Sequence, residues 1–321
     1  MERTPRPAIQ LYSVRDASGS LPEVIRRVAE AGFEGVEFAD RFLEADVEAV
    51  AEALSETGVV PVAAHVDLST VEAALDGNGD LFERLDDVGC DRVVVPHVPA
   101  RHFRTRWAVR SFSYRIADVA HELDARDVDL GYHTIRHDLH PMVPRAIGTL
   151  FEKTPLPHAV ADLGTRGLAR LRGADPRFDA SEIPSDSGYW NLIARTTPDD
   201  LFFEVDVGEV AAAGFDPAAA IELASGRVPL VHVRDVAPTG RFGSFESADP
   251  GRGVVDFASV ARAARESGTE WLVYEHDDPT DAYEAMRDGA ELLADLLGDG
   301  SDGGSSKGES TDDAAAVGSA D

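Results

Sequence analysis

An eight-stranded parallel α/β barrel, (β/α)8, is the fold class this sequence predicts, and three observations predict it. Short apolar runs alternate with amphipathic helical stretches from residue 8 to residue 297, the pattern of repeated βα units. The helical stretches close at recurring glycine joints: Ala31-Gly32-Phe33, Thr57-Gly58-Val59, Val88-Gly89-Cys90 and Ser267-Gly268-Thr269, each a place where a helix can end in a left-handed residue. The first strand leads into Gln10-Leu11-Tyr12-Ser13 rather than into the glycine-rich phosphate turn of an open doubly wound sheet. With 321 residues and 43% hydrophobic content the chain can bury a full core.

In order, Ala8 to Ser13 reads as the first strand, and Leu21-Pro22 opens a helix whose Val24, Ile25, Val28 and Ala31 recur at helical spacing. Phe33 to Phe38 is the second strand and Val47 to Thr57 the next helix. Val59 to His65 is the third strand, followed by a helix from Thr70 to Leu75 with Ser69 as its expected N-cap and a further helix from Leu81 to Val88. Asp91 to His97 is the fourth strand, Val109 to Ala125 a long amphipathic helix, and Val128 to His133 the fifth strand. The segment from Thr134 to Pro198 reads as an enlarged loop region with helical pieces, including Tyr189 to Arg195, and with His158 to Asp162 as a possible extra strand. Leu201 to Asp206, Val228 to Val233 and Trp271 to Glu275 complete the barrel, with helices expected from Asp216-Pro217 to Ala224, from Val255 to Ser267 and from Thr280 to Leu297. The domain reading is a barrel over 1–297 and an acidic tail over 298–321, too polar to form a core and expected to be disordered.

The formal charge of −29 argues against nucleic acid or an anionic membrane as a partner. Lys153 and Lys307 are the only lysines, and so acidic, lysine-poor a composition is expected of a halophilic protein working where salt screens self-repulsion. Cys90 is the single cysteine, which leaves no internal disulfide and no cysteine metal motif. The N-terminus is too polar for a signal peptide and no apolar run reaches the roughly 18 residues of a membrane span, so a cytoplasmic location is expected.

Chemistry concentrates where apolar strands stop. Asp206, His232 and Glu275 each end one of the last three strands, and in a barrel they would point to one mouth. Carboxylate, imidazole and carboxylate make a plausible divalent-metal set. An ion so held would grip two neighbouring oxygens of a polyol or hydroxy-ketone and stabilise an enediolate while a carboxylate moves the proton. Glu37, His65, His97 and His133 also fall at strand ends, where they could bind substrate hydroxyls or simply line the barrel. Trp107 and Phe103 could form an apolar wall of the site or pack in the core; Arg234 and Asp235 could orient ligands or bind phosphate, or form an ordinary ion pair. His137, His140 and His158 are not read as ligands.

Gln10-Leu-Tyr-Ser-Val-Arg-Asp16, Gly35-Val-Glu-Phe38, Gly131-Tyr-His133, Glu204-Val-Asp206, Ala213-Gly-Phe-Asp-Pro217, Arg227 through Asp235 and Gly251-Arg-Gly-Val-Val-Asp256 together resemble the xylose-isomerase-like TIM-barrel family of sugar phosphate isomerases and epimerases, inosose dehydratases and endonuclease IV-type enzymes. The resemblance covers residues 8 to about 297. It implies that Asp206, His232 and Glu275 are metal ligands for manganese, magnesium, zinc or cobalt. It also implies a fourth ligand on or after strand five, where relatives often carry a glutamate and this chain has the shorter Asp138, so either Asp138 or His133 completes the site or the site is incomplete. Three positions after Asp206, where a histidine or aromatic residue is common, stands Glu209, a candidate base, extra ligand or substrate contact, or equally a surface residue. The expected catalytic groups are then Glu275, Asp138 and His133, with His65, His97, Trp107, Glu209 and Arg234 binding substrate. The expectation is a metal-dependent sugar or sugar phosphate isomerase or epimerase acting on a small sugar or polyol, alone or as a homo-oligomer. A dehydratase of the same architecture and a non-catalytic sugar-binding member are the alternatives, whereas a nucleic-acid repair role is disfavoured by the charge.

Overall fold

The computed structural model describes residues 4–142, 182–239 and 244–298. Eight parallel strands close into a barrel: β1 (Arg6–Gln10), β2 (Gly35–Phe38), β3 (Val60–His65), β4 (Arg92–Val95), β5 (Asp129–His133), β6 (Phe202–Asp206), β7 (Leu230–Val233) and, after an antiparallel hairpin of β8 (Asp235–Pro238) and β9 (Phe245–Ala248), β10 (Trp271–Tyr274). β10 closes the ring against β1 with Arg6 opposite Trp271 and Ile9 opposite Tyr274. Around it run α1 (Leu21–Ala31), α2 (Val47–Thr57), α3 (Leu68–Leu75), α4 (Leu81–Val88), α5 (Arg106–Asp124), α6 (Gly188–Ile193), α7 (Val207–Ala213), α8 (Pro217–Leu223), α9 (Phe257–Ser267) and α10 (Ala282–Gly298). The fold class expected from the sequence is the one observed.

Alternation along the strands sorts the side chains into two layers. Ile9, Val36, Phe38, Val93, Val95, Leu130, Tyr132, Phe203, Val205, Val231, Val233, Leu272 and Tyr274 belong to the large core between barrel and helices. Ala8, Val62, Ala63, Val94, Phe202, Leu230, Trp271 and Val273 form a separate cluster, the plug inside the barrel. Gly131 makes room for that plug, because a Cβ there would collide with the Phe202 ring and press on Val94. The polar ends of the same inward rows therefore stand above a dry floor.

Local differences from the sequence reading have local causes. The helix after β3 begins two residues earlier than expected, with Asp67 rather than Ser69 in the N-cap position. α5 starts at Arg106 because the Thr105 side chain accepts from Ala108 N. The β8–β9 hairpin was not among the expected strands. It is tied to the barrel by Asp235, whose carboxylate accepts from Gly253 N at 2.8 Å, Val236 N at 3.0 Å and Val255 N at 3.2 Å. That clamp explains the Gly251-Arg-Gly253 turn: a Cβ on Gly253 would run into the Asp235 carboxylate and the Val236 carbonyl. The expected strand at His158–Asp162 and the acidic tail lie outside the described residues. Among the described residues no helix is long and apolar enough to cross a membrane.

Candidate metal centre at the mouth of the barrel

The inward rows of β6, β7 and β10 read Phe202, Glu204, Asp206; Leu230, His232, Arg234; and Trp271, Val273, Glu275. Register puts Asp206 opposite His232 and His133 opposite Glu204. One ligand atom each from His133, Asp206, His232 and Glu275 lies within 4.8 Å of the others, all four residues being buried. His232 Nδ1 is 3.0 Å from Glu275 Oε2 and His133 Nε2 is 3.6 Å from Asp206 Oδ2.

Asp206 does two jobs. It accepts from Glu209 N at 2.9 Å through Oδ1, capping α7 as a strand-end aspartate commonly does, which leaves Oδ2 toward the centre. Burial, only partly offset by the Arg234 guanidinium, pushes its carboxyl up to about 7. Burial and then the neighbouring His232 charge bring His133 down to about 3, so its imidazole is neutral, and neither ring nitrogen has a hydrogen-bond partner. A buried, neutral, unpartnered imidazole between two carboxylates is a donor lacking an acceptor-side companion, and the mixed carboxylate–imidazole set suits a divalent ion.

Arg234 stands over this group. Its guanidinium is 2.7 Å from Asp206 Oδ2, 3.0 Å from Glu209 Oε1 and 3.6 Å from Glu275 Oε2, and it also pairs with Asp277. Neither substrate phosphate nor any other anion is needed to account for it; it is counter-cation to four carboxylates. Glu209 also accepts from Arg136 N at 2.8 Å, and although burial raises its carboxyl, Arg234 and Arg136 outweigh that and hold it down at about 2.

Beneath the mouth lies a second group of Glu37, His65, Glu204 and His232. Gln10 Nε2 donates to Glu37 Oε2 at 2.6 Å and fixes its rotamer. Burial alone would lower His65, but Glu37 and Glu204 outweigh it and push the imidazole up to about 10. His232 is raised well above its ordinary value in the same way, Glu204, Glu275 and Glu37 overcoming burial. Glu204 escaped the sequence reading as a site residue. The signal was present: it sits two positions before Asp206, and a period of two puts both on the inner face.

Two clefts open on these groups. One, of about 530 Å³, is lined by residues including Tyr12, Asp40, His65, Asp67, His133 and Glu275. A shallower one, of about 190 Å³, is lined by His97, His133, Asp206, Glu209, Arg234 and Glu275, with Pro96, Ile135 and Asp277. His65, His97, His133, Glu209 and Arg234 thus all face a cleft. Trp107 does not: it lies in the first turn of α5, 66% exposed, and lines neither cleft, while Phe103 is packed in the core.

Asp138 belongs to neither donor group. Its Oδ2 accepts from Tyr132 OH and, at 3.1 Å, from Ile135 N, and its carbonyl accepts from Tyr189 N at 2.9 Å. Tyr132 belongs to the outward row of β5, so Asp138 is anchored in the layer between barrel and helices. Of the two residues expected to complete the group after strand five, His133, the inward residue that ends the strand, is the one that lies with Asp206, His232 and Glu275.

The chain matches the family model described as xylose isomerase-like TIM barrel over residues 25–152 and 184–296. Among curated proteins no match is found. Among solved structures, a sugar phosphate isomerase/epimerase from Parabacteroides distasonis is 16% identical with a TM-score of 0.63, over 92% of this chain and 96% of that one. An L-ribulose 3-epimerase is 16% identical with a TM-score of 0.60, over 92% and 95%. The IolI protein with a bound zinc atom is 13% identical with a TM-score of 0.61, over 92% and 98%. At these identities the likeness is one of fold. With the family model spanning most of its length, this chain belongs to the xylose isomerase-like TIM-barrel family.

Proposed function

We propose that this chain is a divalent-metal-dependent isomerase or epimerase of a sugar or related polyol. The observation that carries the reading is the convergence of His133, Asp206, His232 and Glu275 within 4.8 Å at a cleft roomy enough for a monosaccharide, about 530 Å³. Structural neighbours that include epimerases and a zinc-containing protein support it.

Those four residues would hold the ion, which when bound supplies a Lewis acid for neighbouring hydroxyl and carbonyl oxygens and so favours an enediolate. We assign proton movement to Glu275, the carboxylate that lines both clefts, with Glu209 as the second carboxylate, in the shallower cleft. Taking a proton from the carbon beside the carbonyl and returning one to the opposite face gives epimerisation. Returning it to the neighbouring carbon gives isomerisation. His65, whose ring edges the larger cleft, and His97, in the shallower one, are assigned to substrate hydroxyls.

The test is incubation of the metal-loaded protein with a panel of ketoses in deuterium oxide. Deuterium entering the carbon next to the carbonyl, with its loss in Asp206→Asn, supports the reading. Net loss of water from a polyol substrate replaces it with a lyase of the same architecture. Stoichiometric sugar binding without exchange replaces it with a non-catalytic member.

A further inference from the structure

The inner group has a geometry of its own. His65 Nε2 is 2.7 Å from Glu204 Oε2 and 3.3 Å from Glu37 Oε1. His232 Nε2 is 2.7 Å from Glu37 Oε2 and 3.1 Å from Glu204 Oε1. Two imidazole nitrogens and two carboxylates thus alternate in a ring, each nitrogen touching both carboxylates. The ring is short of donors: Oε1 of Glu37 and Oε1 of Glu204 accept no hydrogen bond, although both residues are fully buried, and one Nε2–H can satisfy only one of the two oxygens it faces. Orphaned buried carboxylate oxygens aimed at a common centre are costly unless a cation is supplied. Metal–nitrogen and metal–oxygen bonds of about 2.1 Å in a tetrahedral shell put donors about 3.4 Å apart, so these atoms need to move outward by only a few tenths of an ångström to surround an ion. His65 edges the larger cleft, which provides the way in.

We propose that Glu37, His65, Glu204 and His232 form a second divalent-cation site beneath the first, with a two-nitrogen, two-carboxylate donor set suited to zinc, cobalt, manganese or iron(II). His232 is shared, offering Nδ1 on the side of Glu275 and Nε2 on the side of Glu37 and Glu204. With both sites filled it gives up both ring protons and His65 gives up its Nε2 proton, all to solvent, so the dication replaces the positive charge that the buried carboxylates otherwise take from the imidazoles. The inner site shares only this histidine with the outer one as a ligand, and its metal uptake is read without the reaction assigned there.

The full chain, stripped of metal and titrated with zinc while bound metal is counted by atomic emission, is expected to take up two equivalents. Glu204→Gln and Asp206→Asn are each expected to take up one, the remaining ion binding within about 100-fold of its original affinity. In crystals grown with zinc, anomalous scattering at the zinc edge is expected to give a peak within the Glu37–His65–Glu204–His232 ring. Should Glu204→Gln fail to fold, Glu37→Gln and the anomalous map of the unaltered protein carry the test. A single equivalent that Asp206→Asn abolishes and Glu204→Gln leaves intact, or a map without the inner peak, overturns the inner site and leaves the outer reading standing. No bound zinc at all overturns both.

Discussion

The two faces of the His232 ring look onto opposite solutions to one problem, the burial of carboxylates. On the Nε2 face, Glu37 and Glu204 are balanced by imidazoles in a closed ring. On the Nδ1 face, Glu275 is balanced by His232 and, more distantly, by the guanidinium of Arg234, which also serves Asp206, Glu209 and Asp277, while His133 stays neutral and unpartnered. The inner face is compact and matched in charge but short of hydrogen-bond donors, with Oε1 of Glu37 and of Glu204 unpartnered. The outer face, opening onto both clefts, keeps the His133 imidazole unpartnered beside a guanidinium that four carboxylates hold. Position along one barrel axis separates a more enclosed donor group from one that opens directly onto both clefts.

The largest effect is expected where the two faces meet. His232→Ala leaves Glu37, Glu204 and Glu275 facing one another without their shared imidazole, and removing one partner of a buried charged set costs about 3–5 kcal/mol. Urea denaturation would show it as a lower midpoint, and metal uptake would vanish from both faces. A midpoint equal to that of the unaltered protein would mean that the two faces are not coupled.

Next comes the contrast between Glu204→Gln and Asp206→Asn in metal-free protein. Glu204→Gln should cost about 3 kcal/mol, since it strips His65 and His232 of a buried partner. Asp206→Asn should cost about 1 kcal/mol or less, because its carboxyl is already raised to about 7 by burial and asparagine caps α7 as well as aspartate does. Turnover should reverse the order, Asp206→Asn being the more damaging. The inner ring also sets a pH limit. The imidazole of His65 is raised to about 10, so its contribution is fully present below its unfolded value near 6.5 and is lost as pH rises through about 10.

A third prediction concerns Arg234, which competes with a dication for Asp206 and Glu275. Arg234→Met should lower the stability of the metal-free protein and tighten metal binding about tenfold, equivalent to about 1.4 kcal/mol. Thermal melts with and without zinc would read this as a larger metal-induced rise. Unchanged or weaker binding would show that Arg234 helps hold the ligands in place rather than competing for them.

Most of the barrel was legible because its signals are local: apolar runs, glycine joints and caps repeat unit by unit. The convergence of Asp206, His232 and Glu275 was legible for the same reason, since each ends an apolar strand. Glu204 was missed because it lies inside a strand, where a carboxylate looks like an interruption until the period-two register puts it beside His65 across the barrel, 139 positions away in sequence. Trp107 was misplaced because nothing local says which side of α5 faces solvent at its first turn. The β8–β9 hairpin was invisible because its anchor, Asp235, finds partners at Gly253 and Val255, on the far side of an intervening loop.

Asp138 provides the smallest and sharpest test, because sequence similarity and geometry disagree about it. If it ligates the ion, Asp138→Asn should remove an equivalent of metal. The structure has its Oδ2 on Tyr132 and Ile135, away from both donor groups, so metal uptake should instead be unchanged. What should change is the pH dependence of stability. Burial raises the Asp138 carboxyl to about 8, more than the Tyr132 and Ile135 hydrogen bonds lower it, whereas in the unfolded chain it ionises near 3.9. The folded protein therefore keeps a proton that the unfolded chain loses, and stability falls as pH rises from about 4 through about 8. Asparagine has no such proton to lose, so Asp138→Asn should flatten that part of the curve in metal-free protein while His65 still sets the decline near pH 10. Denaturation midpoints measured from pH 5 to pH 9 would decide it: parallel curves for the two proteins would mean that the Asp138 carboxyl is not held neutral beside Tyr132, and the separation of a structural Asp138 from the ligand-binding face would fail with it.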